Sequence, residues 1–174
     1  WGAHNIVVTN NDPSHFQSLP QFFDVMVVDA PCSGSGLFRK DPTAMDGWST
    51  DLVALCAQRQ QRILADALPA LALGGTLIYA TCSYDPNEDE HIADWLVNEM
   101  GLTPQAININ NYPGIVETAA PISKAPGYRF YPDQIRGEGF FIAAFKKEKE
   151  VGVALTSFKS KEAVLEKLTK KMQE

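Results

Sequence analysis

The sequence predicts a three-layer α/β fold in which a mostly parallel sheet carries one antiparallel edge strand. Short runs of β-branched and other apolar residues alternate with longer segments of helical periodicity. Helices that link successive strands imply right-handed crossovers and therefore parallel pairing. The last two apolar runs are joined by a long segment without helical periodicity, so we expect these two strands to pair antiparallel.

Length and composition fit one domain followed by a tail. The 174 residues are 45% hydrophobic, which is enough to bury the core of one domain. The formal net charge of −6 argues against an indiscriminate nucleic-acid-binding surface but is compatible with a local basic patch. No apolar run approaches the roughly 20 residues of a membrane span, which predicts a cytoplasmic protein. A composition shift separates the body, residues 1–147, from a charged connector and an amphipathic helix over residues 148–174.

Periodicity and turn residues place the elements along the body. We predict helices over residues 50–73 and 85–100. Two long irregular segments, residues 31–48 and 110–137, are rich in proline and glycine, and loops of this length are usually functional. The predicted strands cover residues 4–9, 24–29, 76–81, 102–109 and 139–146.

Cap and breaker residues define the ends of the two helices. Pro69 should tighten the last turn of the first helix, and the pair Gly74 and Gly75 should end it. Asp85 is followed by a proline and then, three residues after the aspartate, by an acid. This pattern is typical of a helix N-terminus, so we expect the second helix to begin there.

Two loops of the same build present a cysteine just after a predicted strand. In DVMVVDAPCSGSG, Asp29 ends the apolar run and Cys32 follows in a loop rich in glycine and serine, while GGTLIYATCSYDP carries Cys82. Open α/β sheets bind ligands outside the carboxyl ends of their strands, where both loops would lie. The cysteines form no CxxC pair and lack metal-ligand spacing, so we expect neither a disulfide framework nor a metal site.

Three blocks of the sequence, taken together, resemble one enzyme family. DAPCSGSGLFRKDP, GGTLIYATCSYDPNEDE and GEGFFIAAFKK, in this order and spacing, are similar to the Fmu/Sun family of S-adenosylmethionine-dependent RNA cytosine-5 methyltransferases. Within that family, residues 38–49 look most like the branch that acts on bacterial small-subunit (16S-type) ribosomal RNA. The resemblance implies a Rossmann-like methyltransferase fold with sheet order 3-2-1-4-5-7-6, in which this chain begins just before strand 3.

The same resemblance implies that the chain carries only part of the catalytic domain. Strands 1 and 2 have no counterpart in it, and neither has the glycine-rich loop that would hold the cofactor. Strands 3 and 4 would then be separated by a gap of two strands, with unpaired backbone edges. We therefore expect a C-terminal portion of a longer catalytic domain, inactive by itself.

The resemblance also implies roles for individual residues. Cys82 would be the nucleophile that attacks the cytosine, and Cys32 would assist release of the methylated base. Asp29, at a strand end, is the acid expected to bind the edge of the target base. The implied methyl donor is S-adenosylmethionine, with Asp12, Asp29 and Pro31 as predicted contacts. Asp12 has a plainer alternative as a turn residue before a proline.

The resemblance implies RNA, and in particular ribosomal RNA of the small subunit, as the partner. Arg39 and Lys40 are predicted to contact its phosphates, with an ordinary solvated pair as the alternative. Arg129 is the third predicted RNA contact, because it lies among aromatic residues that suit base stacking as well as core packing. Cys56 falls on the apolar side of a helix, where a free cysteine behaves as a small hydrophobe.

Two other functions share the same residues. A DNA cytosine methyltransferase would use the thiol of the Pro-Cys pair, which is Cys32, as its nucleophile. A non-catalytic RNA-binding or assembly module would keep the fold and lose the activity. The presence of both cysteines argues against the module, and the lack of a cofactor loop in this chain argues for it.

Overall fold

A computed structural model describes residues 4–149 of the chain as a mixed sheet with helices. Helix α1 spans Thr50–Ala67 and helix α2 spans Glu90–Asn98. The predicted connector and helix of residues 148–174 lie outside the described residues, except for residues 148 and 149. The six strands are β1 Phe23–Asp29, β2 Leu71–Thr81, β3 Thr103–Gln105, β4 Ile115–Ala119, β5 Pro126–Phe130 and β6 Phe140–Lys146.

The sheet has the order β1-β2-β6-β5-β4, with β3 also paired to β6. Only β1 and β2 are parallel, and every other pair is antiparallel. Both helices contribute to one core with β2 and β6, which confirms the predicted α/β fold and the antiparallel pairing of its last strands. The sheet of the described residues is mixed and not mostly parallel, because β4 and β5 add antiparallel pairs that the sequence did not indicate. The fully buried members of this core include Leu64, Leu68, Leu77, Tyr79, Ile92, Leu96, Phe141 and Phe145.

The strand predicted over residues 4–9 does not form. Residues 4 and 5 make a turn, and residues 6–12 are assigned to no strand. Ile6, Val7 and Val8 are 46%, 59% and 83% exposed. β-branched residues favour strands only where a neighbouring strand supplies hydrogen bonds and packing, and this segment pairs with none of the six described strands.

The first helix ends earlier than predicted. Pro69 does tighten its end, since Leu68–Ala70 is a 3-10 turn. The chain then enters β2 at Leu71, so Gly74 and Gly75 lie within the strand span instead of ending the helix. The buried ammonium of Lys147 donates to the carbonyls of Leu68 and Leu71, and these bonds fix the change from helix to strand.

The second helix begins later than predicted, at Glu90. Residues 86–89 form turns, in which the Asp85 carboxylate accepts from the backbone N–H of Asn87 at 2.9 Å. Asp85 thus caps a turn ahead of the helix, as its side-chain chemistry favours. The acid three residues later, Glu88, faces the cysteine loops instead of its own backbone.

The segment predicted to be irregular over residues 110–137 contains a hairpin, β4–β5. The strand predicted over residues 102–109 is correspondingly short, Thr103–Gln105. Strand β5 begins with a proline and a glycine, which carry little strand propensity. Its pairing with both β4 and β6 overrides that local preference.

Gly36 lets three segments of backbone approach one another. Its N–H donates to the carbonyl of Cys82 at 2.9 Å, and its carbonyl accepts from the N–H of Gly139 at 3.0 Å. A Cβ atom at this position would lie 2.5 Å from the carbonyl oxygen of Gly139 and 2.7 Å from that of Cys82. The junction between the two cysteine loops and β6 therefore requires glycine here.

Gly36→Ala should lower the free energy of unfolding by about 2 kcal/mol, because the added methyl group overlaps fixed backbone oxygens. Gly47→Ala is the matched control, since a Cβ at Gly47 meets nothing within 4 Å. Denaturant unfolding of the two variants measures the difference. Equal stabilities would contradict the close approach at Gly36.

Candidate active site

The parallel pairing of β1 with β2 ends both strands at the same level. Asp29 is paired with Ala80, and the N–H of Ala30 donates to the carbonyl of Ala80 at 2.9 Å. The two cysteine loops therefore begin side by side. Their sulfur atoms meet: the Sγ atoms of Cys32 and Cys82 are 3.0 Å apart, within hydrogen-bonding distance.

The pKa values of the two thiols are shifted in opposite directions. A hydrogen bond from Cys32 lowers the pKa of Cys82 to about 7, although burial and the charges of Asp29 and Glu88 act in the other direction. The same contact, together with burial, raises the pKa of Cys32 well above the usual range of a thiol. At neutral pH Cys82 is therefore partly a thiolate, while Cys32 keeps its proton.

Asp29 lines an open, mostly apolar cavity, and Pro31 follows it in the loop that leads to Cys32. Asp29 is exposed and lines this cavity with Pro13, Phe16 and Ile63 among others. The carbonyl of Pro31 accepts from Gln60 Nε2 at 3.0 Å, which fixes the loop just before Cys32. An apolar cavity with one carboxylate at its rim suits a planar heterocycle that carries an amino group.

Asp12 occupies the position of a capping residue. Its carboxylate accepts from the backbone N–H of Ser14 at 3.1 Å and from the Ser14 hydroxyl at 2.7 Å. These bonds lower the pKa of Asp12 below its usual value. The side chain starts the 3-10 turn Pro13–Ser18 and lies next to the cavity-lining Pro13, so its contact with a cofactor stays a prediction.

Glu88 joins the two cysteine loops and was not among the predicted site residues. It is 0% exposed. Its Oε1 accepts from the backbone N–H of Ser33 at 2.8 Å and from Gln60 Nε2 at 3.2 Å, and its Oε2 accepts from the hydroxyls of Ser33 and Ser83. Glu88 follows Cys82 closely in the sequence. Its place three residues after Asp85 fits a helix cap, so the pattern indicates a hydrogen bond to the nearby backbone and not to the distant Cys32 loop.

The basic residues predicted to bind RNA hold a neighbouring loop. Arg39 donates to the carbonyl of Gly137, and Lys40 forms an ion pair with Glu138 at 3.0 Å. Lys40 is 70% exposed, so its ammonium remains accessible to a phosphate. An RNA contact by Arg39 and Lys40 stays a prediction.

Arg129 does not occupy the exposed position that an RNA contact needs. Only 5% of Arg129 is exposed, and its guanidinium donates to the carboxylate of Glu90 from two nitrogens, Nε and Nη2. It also lies 3.0 Å from Asp89 and donates to the carbonyl of Tyr84 at 3.1 Å. The aromatic surroundings suggested base stacking, whereas the paired acids at the start of α2 attract Arg129 into the interior.

The third cysteine stands apart from the pair. Cys56 lies on α1, and burial raises its pKa.

Within residues 4–149, neither helix combines the length and apolar character needed to cross a bilayer. No three His, Cys, Asp or Glu side chains of this described part are grouped as a metal ion would require.

Arg129→Met should lower the free energy of unfolding by about 3–5 kcal/mol, because it leaves Glu90 and Asp89 buried without their cation. Arg136→Met, at an exposed position, is the matched control and should change stability little. Thermal or denaturant unfolding gives both values. A stable Arg129→Met protein would contradict the buried ion-pair network.

Cys32→Ala should raise the pKa of Cys82 from about 7 towards 9.0, because the thiol donor is lost. At pH 7.5 the thiolate fraction of Cys82 then falls from about three-quarters to a few per cent. The measurement is the pH dependence of iodoacetamide alkylation, read by peptide mapping with Cys56 as internal reference. An unchanged midpoint for Cys82 would contradict the shared hydrogen bond.

Comparison with known proteins gives a consistent set of relatives. The family model described as "16S rRNA methyltransferase RsmB/F" matches residues 1–146. Ribosomal RNA small subunit methyltransferase F of Serratia proteamaculans is 35% identical over 152 residues, and its counterpart in Aliivibrio fischeri is 35% identical over 148 residues. These alignments cover 86% and 84% of the chain. The chain spans only 31% of the length of either relative.

Solved structures share the fold. A methyltransferase homologue from Pyrococcus horikoshii is 28% identical, with a TM-score of 0.67 over 84% of this chain and 46% of its own. NSun6 from the same organism, solved with SFG, is 23% identical, with a TM-score of 0.67 over 86% of this chain and 36% of its own. The second likeness is one of fold alone.

Proposed function

The chain belongs to the 16S rRNA methyltransferase RsmB/F family, and on that premise we propose that its two-thiol site methylates carbon 5 of a cytosine in small-subunit ribosomal RNA. The observation that carries this proposal is the 3.0 Å approach of the Cys32 and Cys82 sulfur atoms at the ends of two parallel strands. The methyl donor is S-adenosylmethionine, in keeping with the methyltransferase family.

A thiolate solves the chemical problem of this reaction. Carbon 5 of cytosine is a poor nucleophile. Addition of the Cys82 thiolate to carbon 6, with a proton or hydrogen bond at nitrogen 3 to take up the negative charge, turns the ring into an enamine whose carbon 5 is nucleophilic. That carbon forms a bond to the methyl group as the methyl–sulfur bond of the donor breaks. A base then takes the proton from carbon 5, the double bond between carbons 5 and 6 forms again, and the Cys82 thiolate leaves carbon 6 with the electrons of the broken bond.

The opposite pKa shifts of the two thiols support Cys82 as the nucleophile. Its pKa of about 7 makes it partly a thiolate at neutral pH, whereas the raised pKa of Cys32 keeps that thiol protonated. The S–H group of Cys32 can hydrogen-bond to the sulfur of Cys82 as it leaves, which stabilises the departing thiolate. This is the assistance to product release that we propose for Cys32.

Residues at the carboxyl end of β1 suit the base and the methyl donor. Asp29 is exposed near Cys32 and can hydrogen-bond to the base edge at nitrogen 3, or accept a hydrogen bond from the donor's amino group. The apolar cavity lined by Pro13, Phe16 and Ile63 fits an adenine ring. Asp12 directly precedes Pro13 in the chain, and Pro31 lies two residues after Asp29, so both can reach a donor bound there. S-adenosylmethionine, when bound there, supplies the electrophilic methyl group.

The remaining surface suits an RNA whose target base leaves the stack. The faces of a cytosine within a helix are inaccessible, so the base is unpaired or flipped to reach Cys82. Arg39 and Lys40 follow the Cys32 loop and can neutralise phosphates beside the target. Ribosomal RNA as the substrate implies the cytoplasm as the place of action.

RNA that contains 5-fluorocytosine should trap the protein covalently, because fluorine cannot leave carbon 5 as a proton does. We expect the adduct in the wild type and in Cys32→Ala, and its loss in Cys82→Ala. Denaturing gel electrophoresis with labelled RNA and S-adenosylmethionine detects it. The longest natural polypeptide that contains these residues is the proper protein for the assay.

The controls separate the other two functions. Fluorocytosine DNA that traps the protein through Cys32 would favour a DNA methyltransferase. RNA binding without adduct or methyl transfer, in any variant, would favour a non-catalytic module. Cys56→Ala is the matched cysteine control and should trap as the wild type does.

A further inference from the structure

We propose that Glu88 is a positioning residue that holds the Cys32 and Cys82 loops at the separation the reaction needs. The proposal deepens the proposed function, because it takes the two-thiol site as the place of chemistry. Glu88 lies outside the cavity and contacts neither sulfur in the described hydrogen bonds. It acts through the residue that follows each cysteine.

The contacts of Glu88 are divided between the two loops. Its Oε2 accepts from the hydroxyl of Ser33, directly after Cys32, and from the hydroxyl of Ser83, directly after Cys82, at 2.7 Å. One oxygen atom thus bridges the two loops one residue away from each thiol. Its Oε1 adds a 2.8 Å bond from the backbone N–H of Ser33.

The carboxylate is itself held firmly. Gln60 Nε2 donates to Oε1 at 3.2 Å, and the Tyr79 hydroxyl donates to the backbone carbonyl of Glu88 at 2.6 Å. The hydroxyl of Ser33, which donates to Glu88, also accepts from Trp48 Nε1 at 3.1 Å. A buried carboxylate is tolerated only with such hydrogen bonds, so its burial and its donors belong to one arrangement.

The bridge and the negative charge of Glu88 should have opposite effects on the pKa of Cys82. Its negative charge alone raises the pKa of Cys82, so removing the charge should lower that pKa. Loss of the bridge instead lets the sulfurs separate, and the hydrogen bond from Cys32 is the largest influence on Cys82. If Glu88 acts by position, a variant without the bridge raises the pKa of Cys82 in spite of the lost charge.

Two substitutions separate these effects. Glu88→Gln removes the charge and can keep the bridge, because its carbonyl accepts from the Ser33 N–H while its NH2 donates to both serine hydroxyls. Glu88→Ala removes charge and bridge together. Asp94→Ala is the matched control, since Asp94 is another buried acid but binds the backbone N–H groups of Ile122 and Ser123.

The experiment measures the pH profile of Cys82 alkylation and of fluorocytosine-RNA trapping in the longest natural polypeptide. We expect the midpoint of Glu88→Ala to rise from about 7 towards 9.0, and its trapping rate at pH 7.5 to fall about 10- to 100-fold. Glu88→Gln should keep a midpoint at or below that of the wild type. Asp94→Ala should keep the wild-type midpoint.

A Glu88→Ala midpoint that falls, or stays with the wild type in a folded protein, would overturn the proposal. If Glu88→Ala does not fold, Ser33→Ala and Ser83→Ala each remove one side of the bridge, and each should raise the midpoint. Unchanged midpoints in both would overturn the proposal as well. Trapping that fails in the wild type would refute the proposed function alone, because the alkylation profile still reports the position of Cys82.

Discussion

The parallel pairing of β1 with β2, which is regular from Val25 to Asp29, is the constraint from which the site follows. Asp29 and Ala80 are paired at the ends of the two strands, so the loops that follow both strands begin at the same edge of the sheet and at the same level. A shift of one residue would turn the side chains of one strand to the opposite face and separate the two loops. The meeting of Cys32 with Cys82, far apart in the chain, is therefore a consequence of backbone register.

Register brings the loops together, and specific contacts then fix their distance. Gly36 permits the backbone of the first loop to bind that of the second, and Glu88 bridges the serines that follow the two cysteines. Within this arrangement the hydrogen bond between the thiols lowers the pKa of Cys82 and raises that of Cys32. In the reaction that we propose, this difference suits Cys82 both for attack on the base and for its later departure.

The sequence was informative where local pattern and pairing agree, and misleading where they conflict. Strand β1 and the two cysteine loops are predictable from the sequence, because an apolar run followed by turn-forming residues is a local signal. Residues 4–9 have strand propensity but no partner strand within residues 4–149, and β5 has partners but little propensity, so the predictions for both segments are wrong. Glu88 and Arg129 depend on residues distant in the chain, which no local pattern reveals.

The account depends on two thiols held side by side in solution. A bifunctional bimane reagent, which fluoresces fully only after it bridges two adjacent thiols, tests this directly on the reduced protein. We predict rapid bridging at one reagent per chain, with Cys32 and Cys82 joined in a single cross-linked peptide and Cys56 left unmodified. Independent modification of Cys32 and Cys82, without a bridged product, would contradict the account.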